Sequence, residues 1–105
     1  MESEQRVLVR DNPDRSRFEI TVDGGLAGFS EYRSRPGRLV LTHTEVSPAY
    51  RQRGLAGRLV RTALDTARRR ELVVTPLCPY VAAFIRRNRD YLELVDEVHR
   101  AQLAD

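Results

Sequence analysis

Cys78 is the sole cysteine of the chain, and it closes a short apolar run from Glu71 to Cys78. Pro79 follows it, a residue suited to the first turn of a helix. A thiol at a helix N-terminus feels the positive end of the dipole, which lowers its pKa and raises its thiolate fraction. Such a group can protonate a leaving thiolate, or take up an acyl group and pass it on. The alternative is a small buried hydrophobe, the commonest fate of a lone cysteine. His43 and Glu45 stand two apart in a segment with strand alternation, so they share one face. Either can take a proton from an amine, directly or through water. The alternative is a solvated surface pair, and a β-bulge near Val46 would break the parity.

The stretch from Tyr50 to Ala56 holds a different kind of chemistry. A strand ends at Val46, a tight connection follows, and a helix starts near Gly54. Backbone N–H groups and the dipole converge at such a terminus and favour an anion. Gly54 removes a side chain where a bulky phosphate would need close backbone approach, and Arg51 and Arg53 add charge. Read plainly, the glycine only starts the helix and the arginines are solvated.

The elements that position these residues are legible in the periodicity. Arg6 to Arg10 alternates as a first strand. Phe18, Ile20 and Val22 alternate with Glu19, Thr21 and Asp23, and Asp23-Gly24-Gly25 reads as a hairpin turn. Leu26 to Arg33 is the next strand, with Ala27, Phe29 and Glu31 expected on one face. After Arg35-Pro36-Gly37, Arg38 to Val46 completes a meander. Leu55, Ala56, Leu59, Val60, Ala63, Leu64 and Ala67 then form one helical stripe, predicting a helix over Gly54 to Arg70, about 17 residues long. A strand over Glu71 to Cys78 and a helix from Pro79 to about Asn88 follow, then a strand or packed segment at Tyr91 to Val95. The strand-helix-strand succession implies a parallel crossover. The expected class is α+β: a mixed sheet, an antiparallel meander then a parallel crossover strand, with two main helices.

At 105 residues the chain is read as one domain over 1–105, with a core at about 6–95 and a polar tail at 96–105. His99 in that tail is expected to be solvated. No apolar run approaches the ~20 residues that span a bilayer, and the charged N-terminal stretch lacks an apolar signal region. A cytoplasmic, monomeric protein with no membrane partner is expected. One cysteine and two separated histidines, His43 and His99, offer no zinc-ligand spacing, so no metal is expected. Net charge is +3, and all eighteen basic residues are arginine. That balance favours anionic partners, either nucleic acid or a phosphorylated cofactor.

Val46-x-Pro48-x-x-Arg51-x-x-Gly54-Leu55-Ala56 resembles the acyl-CoA signature of the GNAT superfamily of N-acetyltransferases. Thr42 to Val46 (THTEV) and Pro76 to Tyr80 (PLCPY) are similar to motifs of a short branch of that superfamily, and the likeness runs over roughly Phe18 to Val95. The resemblance implies a minimal GNAT-like fold without the usual N-terminal helices, and acetyl-CoA as co-substrate. It assigns cofactor binding to Val46, Arg51, Gln52, Arg53, Gly54, Leu55 and Ala56, whose backbone amides would hold the CoA pyrophosphate. The strand before the loop would pair with the pantetheine arm. It also implies that Cys78 is an active residue, as acid or nucleophile. The tyrosine that many superfamily members use as general acid is replaced here by Ile85, with Tyr80 and Tyr91 as substitutes. The expected activity is acetyl transfer to an amine, and an open acceptor side would suit a protein or peptide. The alternatives are a CoA-binding module without transfer and a small basic nucleic-acid-binding domain. Against the last stand the interspersed acidic residues and the lack of any recognition motif.

Overall fold

The computed structural model describes residues 5–104. Four strands, β1 (Val7–Asn12), β2 (Arg17–Val22), β3 (Gly25–Arg35) and β4 (Arg38–Val46), form the antiparallel meander. The helix α1 (Leu55–Arg69) leads to β5 (Val73–Pro76), which pairs with β4 in parallel. After it come α2 (Pro79–Arg87), a 3-10 segment at Arg89–Leu94 and α3 (Glu97–Leu103). Strand order in the sheet follows chain order, β1-β2-β3-β4-β5. The class is the α+β arrangement that the periodicity predicts.

The core forms where α1 lies on the sheet. Leu55, Leu59, Val60, Ala63, Leu64 and Ala67 are buried along the helix stripe, in one cluster with Phe18, Ile20, Leu39 and Leu41 of the strands. Burying each large aliphatic side chain stabilises by roughly 1.5–3 kcal/mol, which outweighs the weak helix propensity of any single residue. The arginines at the end of α1 are tied down. Arg68 donates to the Asp90 carbonyl and to Glu93, and Arg70 pairs with Asp11 at 3.0 Å.

Two β-bulges change which side chains face that core. Ile20 pairs with Gly28 but Thr21 with Leu26, so Ala27 is an extra residue in β3. Glu31 pairs with His43 but Tyr32 with Leu41, so Thr42 is an extra residue in β4. A bulge shifts the two-residue alternation by one. The expectation that Ala27, Phe29 and Glu31 share a face is therefore corrected. Ser30 and Tyr32 are buried, while Phe29 and Glu31 lie half-buried on the opposite, outer face. The β4 bulge falls before His43, so His43 and Glu45 keep a common outer face and Thr44 turns inward beside Ser30. At Gly28 the strands approach so closely that a Cβ would sit 2.6 Å from the Glu45 carbonyl oxygen.

The polar tail is helical, as α3, and it adds to the core. Leu103 is buried in the core cluster, so the core runs past Val95 into α3. Val95 bridges Val74 at the sheet edge, and Tyr91 precedes it in a 3-10 turn rather than a strand. His99 is held, not solvated: its Nδ1 lies 2.8 Å from Asp96 Oδ1, and its backbone N–H donates to the same carboxylate, which caps α3.

Candidate active site

β5 accompanies β4 only from Arg38 to Leu41, opposite Val73 to Pro76. There the Leu41 carbonyl accepts from both Leu77 N and Cys78 N, each at 2.9 Å. Pro76 has no N–H to continue the ladder, and Pro79 starts α2 three residues later. The chain therefore leaves the sheet, and Thr42 to Val46 of β4 keeps β3 on one side with no strand on the other among the described residues. A cleft of about 620 Å³ runs along this free edge from His43 to Val46, walled by Pro48, Arg51, Ala56 and Tyr80. It continues into a hollow of about 220 Å³ over the start of α1, where Gln52, Gly54, Leu55 and Gly57 join the lining.

The geometry of that hollow comes from the loop backbone. Gly54 has φ 73° and ψ 15°, a left-handed conformation that side chains disfavour. A Cβ there would meet nothing within 4 Å, so the glycine is set by conformation and leaves the space above it empty. Gln52 also takes a positive φ, 65°. No side chain caps α1, and the N–H groups of its first turn have no partners within the helix. Together with the dipole they make a site for an anionic group such as a diphosphate. Arg51 lines both parts of the cleft and reaches back to the Val46 carbonyl at 3.5 Å. Arg53 turns away, onto the Tyr50 ring at 5.5 Å and towards Gln5.

The side chains able to move protons divide between the two faces of β4. His43 Nε2 lies 3.1 Å from Glu45 Oε1 on the outer face, and the two side chains are 54% and 58% exposed. Cys78 is 3% exposed and donates its thiol hydrogen to Thr44 Oγ1 at 3.5 Å. Thr44 Oγ1 in turn lies 3.0 Å from Ser30 Oγ, which is fully buried. Thr44 lines the cleft, so the thiol is linked to it through one hydroxyl.

A family model for GCN5-related N-acetyl-transferases matches residues 17–94. The chain belongs to this family. Protein NATD1 of Bos taurus is 37% identical over 98 residues, 86% of this chain and 85% of that one. The human protein of the same name is 36% identical over the same shares. A mycothiol acetyltransferase of Segniliparus rotundus is 44% identical over 64 residues, 57% of this chain, which spans only 24% of that longer protein. Among solved structures, a ribosomal-protein-alanine N-acetyltransferase from Brucella melitensis biovar Abortus shares the fold. Its TM-score is 0.51 at 22% identity, covering 76% of this chain and 60% of the other.

In this family member the tyrosines sort themselves by position. Ile85 is fully buried in the core. Tyr91 is 2% exposed and donates to Asp65 Oδ1 at 2.7 Å, away from the cleft. Burial and the Asp65 carboxylate both raise its pKa, which makes it a poor proton donor. Tyr80, on the first turn of α2, is 37% exposed and lines both parts of the cleft. Its hydroxyl lies 3.8 Å from where a Cβ on Gly57 would stand, an ordinary contact that leaves room for a small side chain there. Sequence reasoning leaves out Thr44, Pro48 and Gly57 as cleft residues. The signal for Gly57 was its place, one residue past the loop pattern and inside a helix that glycine weakens.

Proposed function

We propose that this protein is an acetyl-CoA-dependent N-acetyltransferase. The observation that carries the reading is the opening between β4 and β5 directly in front of an uncapped helix N-terminus. The N–H groups of Leu55, Ala56 and Gly57 bind the pyrophosphate, with Arg51 beside them. The free edge of Thr42 to Val46 offers its backbone to the pantetheine arm in place of a sixth strand. Acetyl-CoA supplies the acyl thioester. His43, held by Glu45, takes the proton that the attacking amine must lose. The C–N bond forms as the C–S bond breaks, and the Thr44 hydroxyl delivers a proton to the departing sulfur and is refilled from Cys78. Burial of Cys78 to 3% exposure favours this acid role over a nucleophilic one, because an acyl carbon would have to reach the sulfur through Thr44.

The exposure of His43 and Glu45 supports a second reading, a CoA-binding module without transfer, since catalytic bases act best where water is excluded. Calorimetric titration with acetyl-CoA beside a thiol-release assay over an amine panel separates the two. Binding together with amine-dependent thiol release supports the enzyme. Binding with no release on any amine supports the module.

A further inference from the structure

We propose that the acceptor amine enters over the outer face of the sheet, along a groove ending at Glu45, and carries a compact apolar group next to the amine. The proposal rests on the transferase reading and narrows its acceptor to a class, of which a peptide amino terminus with an aliphatic first residue is an example.

A groove of about 250 Å³ lies on that face between Leu26, Phe29 and Pro48, with Glu45 at one side. Glu45 and Pro48 also line the large cleft, so the two hollows adjoin at these residues. The β3 bulge creates the groove: the extra residue Ala27 puts Leu26 and Phe29 on one face, with Leu26 48% exposed. The volume is below the ~300–1,000 Å³ of sites that enclose a whole small molecule, so it suits a single side chain with the rest of the acceptor outside. Glu45 is the one ionisable residue in the groove lining among the described residues. Arg17 covers the Phe29 ring at 4.5 Å, but its charge is paired with Glu19 at 2.8 Å. An ammonium group is therefore attracted, a carboxylate beside it is repelled, and an aliphatic neighbour finds apolar walls. The opposite mouth of the cleft carries Arg51 and the α1 N-terminus, so the anionic and cationic substrates approach from sides of opposite sign.

The test is an amide NMR titration of the full chain saturated with CoA, using three probes: leucine amide, glutamic acid α-amide, and 4-methylpentanamide, which lacks the amine. Leucine amide is expected to shift Leu26, Phe29 and Glu45, and to bind at least about tenfold more tightly than either comparison probe. Leu26→Asp and Glu45→Gln should each weaken it by about tenfold, with the spectrum elsewhere reporting an intact fold. No shifts at these residues, or equal affinity for the three probes, overturns the groove. Loss of CoA affinity in Leu26→Asp also overturns it, because the groove would then hold part of the coenzyme. Docking of leucine amide, with no thiol release from acetyl-CoA on it or on any amine of the panel, supports the groove and defeats the transferase reading instead.

Discussion

Replacing Gly54 by glutamate separates the conformational role of this residue from its role in binding. In the apo protein the substitution has two opposing effects. A non-glycine residue at φ 73° costs roughly 1–2 kcal/mol, while a carboxylate at a helix N-terminus returns about 0.3–1 kcal/mol. No steric cost is added, since the Cβ meets nothing within 4 Å. The net loss of stability should therefore stay near 1 kcal/mol, about 4–8 °C in Tm for a domain of this size. Binding should respond far more strongly. The new carboxylate occupies the empty space above the helix N-terminus, where the diphosphate would accept hydrogen bonds from the first-turn amides. Each hydrogen bond to a charged group is worth about 1.5–3 kcal/mol. Losing two of them weakens CoA by at least about a hundredfold, before any charge repulsion is counted. Gly54→Asn is the control, because asparagine tolerates the left-handed conformation and adds bulk without charge; it should fall between wild type and Gly54→Glu. Calorimetric titration with CoA, paired with thermal melts, reads both quantities. Micromolar CoA affinity in Gly54→Glu with a normal melt would place the pyrophosphate elsewhere and refute the reasoning.

Cys78→Ala should leave CoA affinity within about twofold and lower turnover by the 10²–10⁴-fold typical of a lost general acid or base; unchanged turnover would make Cys78 a packing residue. Intact mass after acetyl-CoA incubation checks the absence of an acyl-enzyme, and with no lysine in the chain no side-chain amine confuses the signal. Asp96 makes stability depend on pH. Burial alone would raise its pKa, but hydrogen bonds from the His99 backbone, Thr75 and the His99 ring hold it at about 2. A depressed pKa contributes stability above the unfolded value of 3.8 that is lost as pH falls towards 2. Asp96→Asn should therefore cost on the order of 2 kcal/mol at neutral pH and flatten the acid limb of a denaturant-melt series. Leu64→Ala, deep in the α1 stripe and fully buried, should cost about 3–5 kcal/mol by chemical denaturation.

What the sequence determined alone was local. The α1 stripe, the Asp23-Gly24 hairpin and the glycine at the start of α1 each follow from one residue's backbone preference or from spacing within a turn or two, and each stands where predicted. The crossover was also legible, because a strand, a helix and a strand in succession leave few ways to close a sheet. The tertiary structure decided what depends on two strands at once. Nothing in Leu26 to Arg33 or Arg38 to Val46 announces that Ala27 and Thr42 are supernumerary, since a bulge is a mismatch with a partner strand. Yet those bulges put Phe29 on the outer face, turn Thr44 towards Cys78 and leave His43 with Glu45 on the other side. The same holds for Tyr80, carried to the cleft on the first turn of α2, and for Leu103, buried by a fold-back that its polar neighbours conceal. Periodicity reports which residues can share a face; only pairing between strands and packing between helices reports which face it is.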